Sequence, residues 1–230
     1  MTNKYILVIG ASRGIGKELV LQLAKNKEHK VIAASRNTDA LAVFCKPNNI
    51  DFYALDLESD TIDLQVKKIV EQYPRIDVLI NNAGKLINKP FHLLTREDFL
   101  STYSVNALAV MQTVQAVLPK MEENGGHIVN ISTMGAFQGS VKFAGLTAYS
   151  TSKAVIANFT ELFAEEYKET RIAMNCLCLG AAQTEMLEEA FPGYKAPISA
   201  AQMANYISDF ALEANKYING KIIPVSLSTP

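Results

Sequence analysis

Cysteine, histidine and net charge are all scarce in this 230-residue chain. Its three cysteines, Cys45, Cys176 and Cys178, are an odd number without a framework of spacings. That excludes a disulfide-stapled secreted fold and fits reduced thiols in a cytoplasmic protein. Cys176 and Cys178 stand two apart on a strand-like stretch and so share a face, but His29, His92 and His127 offer no matching ligand spacing, and no metal site is expected. With 22 basic and 23 acidic residues the formal charge is -1, which leaves no electrostatic argument for nucleic acid or an acidic membrane. A small neutral or anionic metabolite is the expected partner. Long apolar runs are also missing: the opening MTNKYILVIG has too few apolar residues before its glycine for a signal peptide or a membrane span. The length suits one α/β domain over residues 1–230 and is too short for two of that class.

What is present is organised around Lys4 to Ala24. Tyr5 to Ile9 is an unbroken, β-branched-rich apolar run, the signature of a strand buried on both faces of a parallel sheet. From Ile15 the spacing turns helical, with Leu19 and Leu23 on one face. Between the two lie Gly10, Gly14 and Gly16. Glycines there allow a tight turn and close backbone approach, and the free N–H groups of the helix start attract phosphate. The spacing G-x-x-x-G-x-G differs from the G-x-G-x-x-G of many dinucleotide folds, so later residues must support it.

They do. A second buried strand, Val31 to Ala34, runs into Ser35-Arg36. At that corner of a doubly wound sheet a carboxylate would meet a ribose 2′-hydroxyl and an arginine a 2′-phosphate. Arg36 and Arg13, with no acid at that position, favour NADP(H) over NAD(H). Asp56 follows a third strand, where it could accept from an adenine amino group or cap the next helix. A fourth strand, Asp77 to Ile80, ends in Asn81-Asn82-Ala83-Gly84, a turn against which a flat ribose or ring could lie. Thr95 with Asp98 marks a helix start, and an apolar-periodic segment runs from Phe99 to Met121. Asn106 interrupts it and must be a hydrogen-bond hub or part of a proton path. A fifth strand, His127 to Ile131, ends in the hydroxyls of Ser132 and Thr133, at the sheet edge where open α/β folds place their chemistry. Tyr149 and Lys153 then fall one turn apart on one helix face, where an ammonium would draw the phenol's pKa down toward working pH.

Together these motifs resemble the short-chain dehydrogenase/reductase family over nearly the whole chain: GASRGIG, NNAG, Asn106, NIST, YSTSK, LGAAQTEM and NGKIIPV. The resemblance implies an α/β Rossmann fold, a doubly wound parallel sheet of about seven strands with helices on both faces, assembled as a homodimer or homotetramer. It implies that Tyr149 is the general acid or base, that Lys153 lowers its pKa and holds the nicotinamide ribose, and that Asn106 anchors a proton-relaying water. It further aligns Gly10, Ser12, Arg13, Gly14, Ile15, Gly16, Ser35, Arg36, Asp56, Leu57, Asn82, Ala83, Gly84, Gly180 and Thr184 along the cofactor, Thr184 meeting the nicotinamide carboxamide. Ser132 or Thr133 would bind the substrate oxygen. Counting from Gly126 selects Thr133, the spacing to Gly135 supports Ser132, and the two face opposite ways on a regular strand, so that only one serves. We favour Thr133.

Ile9 and Leu179 depart from the family's usual threonine and proline, which bears on loop geometry. The segment from the hydroxyl strand to Tyr149 is longer than usual, with Phe137, Lys142 and Phe143 as candidate substrate contacts. The lid, near residues 185–198, is short and carries Pro192, Gly193 and Pro197, which suggests an open site and a substrate presented on a carrier. The expected function is reversible carbonyl/alcohol hydride transfer with NADPH, of the 3-oxoacyl type. The alternative from another class is a non-catalytic NADPH-binding sensor or scaffold, and too little chain follows Thr184 for a sugar-nucleotide epimerase.

Overall fold

The computed structural model describes residues 3–48 and 50–227. The ends of the 1–230 span, residues 1–2 and 228–230, lie outside the described residues, as does residue 49. Seven parallel strands form the main sheet: β1 (Tyr5–Ile9), β2 (Lys30–Ser35), β3 (Asp51–Ala54), β4 (Val78–Asn81), β5 (Gly126–Thr133), β6 (Ile172–Leu179) and, after a small parallel pair β7 (Ala182–Gln183) and β8 (Ile198–Ser199), β9 (Ile222–Val225). Their order is β3-β2-β1-β4-β5-β6-β9. The chain leaves β1 in one direction for β2 and β3 and in the other for β4 onward. That reversal opens a crevice above the carboxyl ends of β1 and β4, the place where doubly wound sheets bind ligands.

Strand alternation divides the core into two layers. Ile6, Val8, Val31, Ala33 and Val129 face α1 (Gly14–Leu23), α2 (Thr38–Cys45) and α8 (Ala200–Glu213), meeting Leu19, Leu23, Leu41 and Ile207. Leu7, Ile9, Ile32, Leu79 and Ile128 face α3 (Ile62–Val70), α5 (Ala109–Val117) and α6 (Thr147–Glu166), meeting Val66, Ile69, Val114 and Phe163. The central strands therefore carry apolar side chains on both faces, which is why each reads as a continuous apolar run.

The single long helix expected from Phe99 to Met121 is broken. Thr95 caps α4 (Arg96–Tyr103) in a reciprocal box with Asp98, as the sequence indicates. A wide π-turn over Ser104–Leu108 follows, then α5, then a tight turn at Leu118–Lys120 that contains Pro119. The π-turn centres on Asn106, which is fully buried. Such turns recur at functional sites because they disturb the ordinary backbone ladder. Val105, Val110, Val114 and Val117 are buried within the chain, whereas Leu100, Leu108 and Leu162 stay exposed.

His127 belongs to the scaffold. Its Nδ1–H donates to the Ala211 carbonyl at 2.9 Å, and Nε2 accepts from Asn175 Nδ2 at 3.0 Å. Burial pushes its pKa down to about 4, against an opposing contribution from the Ala211 bond. The unfolded chain takes up this proton near pH 6.5 and the folded chain does not until about pH 4. Stability is thus unaffected by this group above pH 6.5 and falls with pH between those values, by about 3 kcal/mol in all. In urea unfolding, wild type should lose about that much more stability than His127→Gln between pH 7 and pH 4.

Candidate functional site

The loop between β1 and α1 is built by backbone contacts that leave no room for side chains. Gly10 has φ +84°, and a Cβ on it would lie 2.6 Å from the backbone of Ala83. A Cβ on Gly16 would lie 2.0 Å from the Gly10 carbonyl oxygen and 2.6 Å from Asn82 Nδ2. Asn82 closes the arrangement by donating to that same carbonyl at 2.9 Å. Arg13 is the N-cap residue of the ten-residue α1 but forms no side-chain cap. The first-turn N–H groups of α1 are therefore open to an anion, and the loop fits a phosphate drawn close to its backbone.

Around this loop the expected cofactor residues take distinct positions. Ser35 Oγ donates to Ser12 Oγ at 2.9 Å, tying the end of β2 to the loop. Ile15, in the first turn of α1, packs on the core layer that α1 covers, and Leu57 packs on the opposite layer. Asp56 is exposed and accepts from the Glu58 N–H, so it does not cap α3, which begins at Ile62. Gly180 follows β6 and donates its N–H to the Val225 carbonyl at 2.8 Å. Thr184 caps the short helix α7 (Glu185–Ala190), and its methyl lies near Gly14. Both arginines are engaged by carboxylates: Arg13 by Glu189, and Arg36 by Glu58 at 3.4 Å, whose other oxygen holds Lys85.

Next to the loop, α6 is strapped to the strands through Lys153. Its buried ammonium donates to the carbonyls of Ile131 at 2.8 Å and Ala83 at 3.1 Å. Burial lowers its pKa to about 8, which leaves it charged at neutral pH. Asn106 is a filled hub: Oδ1 accepts from the Lys85 N–H at 2.7 Å, and Nδ2 donates to the Lys85 carbonyl and to Ser152 Oγ, both at 2.9 Å. A Cβ on Gly84 would stand in ordinary contact with both Lys153 and Asn106. A second amide chain, Asn81 Nδ2 to Asn130 Oδ1 at 2.9 Å and Asn130 Nδ2 to Thr160 Oγ1 at 3.1 Å, joins β4, β5 and α6.

The two hydroxyls at the end of β5 separate as a regular strand requires. Ser132 is buried and donates to the Lys153 carbonyl at 3.0 Å. Thr133 is partly exposed, and its Oγ1 accepts only a loose 3.3 Å bond from the Gly135 N–H. Tyr149 is partly buried one turn before Lys153. Its phenol does not shift as expected. Burial raises the pKa to about 12, because removal from water penalises the phenolate.

The short lid is also less open than its length suggests. The β7–β8 pair pinches its base, Arg13 binds Glu189, and Asn88 Nδ2 donates to the Ala190 carbonyl at 2.9 Å. Glu58, Lys85, Ser152 and Glu189 all join the site without a sequence signal of their own.

Residues 4–195 match the short chain dehydrogenase family. The chain belongs to that family. Over 195 residues, 82% of this chain and 78% of the relative, it is 32% identical to the 3-oxoacyl-acyl-carrier-protein reductase FabG of Thermotoga maritima. It is 31% identical over 204 residues to an NADP-dependent 3-hydroxy acid dehydrogenase of Schizosaccharomyces pombe, covering 85% of this chain and 78% of that one. Among solved structures, an Escherichia coli short chain dehydrogenase complexed with NADPH superposes with a TM-score of 0.87, at 26% identity and 97% coverage of both chains. The seven-stranded parallel sheet with helices on both faces is thus the Rossmann-type sheet of a short-chain dehydrogenase.

Proposed function

We propose that this short-chain dehydrogenase is an NADPH-dependent reductase of carbonyl groups, reversible as an alcohol dehydrogenase, with Tyr149 as proton donor and 1–230 acting as one domain. The observation that carries the reading is the strap through Lys153, which holds Tyr149's helix against both the loop-side turn at Ala83 and the hydroxyl strand at Ile131. NADPH held over that loop by the backbone of residues 10–16 would supply the hydride for the carbonyl carbon. A phenol with a pKa of about 12 is protonated at neutral pH, so Tyr149 stands ready to deliver the proton that the carbonyl oxygen needs. Lys153, charged and fixed, would hold the ribose hydroxyls of a bound cofactor and offset the charge of the phenolate left behind. Asn106, with its side chain filled by Lys85 and Ser152, holds the π-turn in place behind Lys153, where the family's relay water would sit.

Thr133 is the hydroxyl we assign to the substrate oxygen, since Ser132 is buried and already bonded to the Lys153 carbonyl. Thr133→Ala should lower kcat/KM about 10²–10³-fold, the usual loss of one donor to a developing oxyanion. Ser132→Ala should instead lower stability by about 1 kcal/mol with far less effect on turnover. A larger loss of turnover in Ser132→Ala than in Thr133→Ala would reverse the assignment.

The relatives are named as a 3-oxoacyl carrier-protein reductase and a 3-hydroxy acid dehydrogenase, which supports a 3-oxoacyl thioester or 3-oxo acid as substrate class. The non-catalytic sensor reading finds no support among them. Among the described residues no helix is long and apolar enough to cross a membrane, in keeping with a cytoplasmic enzyme. The exposed Leu100, Leu108 and Leu162 support assembly as a homodimer or homotetramer.

The test is cofactor oxidation with 3-oxoacyl thioesters, ketones, diketones and aldehydes, run with NADPH and NADH. Turnover should favour NADPH by about tenfold or more, since a hydrogen bond to a charged group is worth about 1.5–3 kcal/mol. Binding without turnover on any carbonyl would overturn the reading.

A further inference from the structure

Arg13 sits at the mouth of the glycine loop and pairs with Glu189 through both guanidinium nitrogens, the second bond measuring 3.2 Å. Glu189 lies on α7, the helix of the lid. The next residue, Ala190, is tied by its carbonyl to Asn88 on the segment that follows β4. Consecutive lid residues are thus fastened to the two banks of the crevice, one to the loop at the end of β1 and the other beyond β4. At the root of α7 the Thr184 methyl and the Glu185 carboxylate lie 3.2 and 3.4 Å from where a Gly14 Cβ would stand, so the lid rests directly on the loop.

The other arginine at this corner is bound differently. Arg36 meets Glu58 at 3.4 Å in a contact shared with Lys85, and none of the three belongs to the lid. Of the two arginines, it is Arg13 that links the expected phosphate corner to α7.

We infer that Glu189 is a specificity-determining residue that competes with the cofactor's 2′-phosphate for Arg13 and so couples the choice of cofactor to release of the lid. This rests on the NADPH reading above. The pair is exposed on both sides, with 49% and 62% of the side chains accessible. Its bidentate form makes it specific, but an exposed pair contributes little. A phosphate monoester brings nearly two charges and three acceptor oxygens to a guanidinium, against one charge from a carboxylate. It therefore displaces Glu189, whereas a cofactor with a plain ribose hydroxyl leaves the latch shut. Each partner favours the charged form of the other: Glu189 raises the pKa of Arg13, and Arg13 lowers that of Glu189.

The test is calorimetric titration of the full chain with NADP+ and with NAD+, for wild type, Glu189→Gln and Arg13→Ala, beside amide hydrogen exchange of residues 185–190 without ligand. Glu189→Gln should tighten NADP+ by about two- to fivefold, the range for one exposed ion pair, and leave NAD+ unchanged. Both variants should speed exchange in α7. If Arg13→Ala weakens NADP+ while Glu189→Gln changes nothing, or changes NAD+ equally, the competition is refuted and the phosphate reading survives. If Arg13→Ala leaves NADP+ affinity intact, Arg13 does not meet the phosphate and both fall.

Discussion

Tyr149→Phe is expected to reduce kcat for carbonyl reduction by about 10²–10⁴-fold, the usual contribution of a positioned general acid. The variant keeps the ring and its packing on α6 and removes only the hydroxyl. Lys153, Asn106 and Ser152 keep their bonds, since none is made to the phenol: Ser152 Oγ donates to the Tyr149 backbone carbonyl, which the substitution retains, and the others go to different residues. Cofactor affinity should accordingly stay near the wild-type value in calorimetry while turnover collapses. Direction adds a second readout. With the phenol's pKa near 12, the protonated form dominates at neutral pH and suits reduction, while alcohol oxidation needs the phenolate and should speed up as pH rises. A Tyr149→Phe protein that retains its rate would remove the phenol from the chemistry altogether.

Gly16→Ala should abolish measurable cofactor binding and lower unfolding stability by about 1–3 kcal/mol, the cost of forcing atoms into a packed site. The added methyl would meet the Gly10 carbonyl oxygen at 2.0 Å and the Asn82 amide at 2.6 Å. Those two groups are bonded to each other at 2.9 Å. Relief therefore requires parting the loop from the turn after β4, and with it the phosphate cradle. Gly84→Ala makes a sharp control, because its added methyl would stand 3.5 Å from the Lys153 side chain, an ordinary van der Waals contact. Calorimetry and urea unfolding of both variants would show whether the cradle depends on backbone closeness. Wild-type affinity in Gly16→Ala would contradict it.

Strand identity and the two-layer core were legible because buried parallel strands write themselves as short apolar runs, and Tyr5 to Ile9 and Val31 to Ala34 did so plainly. Asn106 was legible as an exception, a polar residue inside an apolar helix, and proved to be a hub. Its π-turn was not, since a wider turn changes hydrogen-bond partners without leaving a mark in residue spacing. Pairings such as Arg13 with Glu189 and Arg36 with Glu58 join exposed residues far apart in sequence, and no local periodicity records them. Sequence alone suggested that Lys153 would lower Tyr149's pKa, since it sees a lysine one turn away. It does not see how much water the packing removes from the phenol.

The reciprocal bonding of β5 and α6, with Lys153 Nζ on the Ile131 carbonyl and Ser132 Oγ on the Lys153 carbonyl, has an evolutionary reading. Strand and helix hold one another through main-chain atoms and internal side chains, and no residue of the rim takes part in these two bonds. The segments that border the crevice, 137–146 and 185–198, can therefore be exchanged without touching these two bonds. Grafting them should change which carbonyl enters while the apparatus that protonates it is inherited intact.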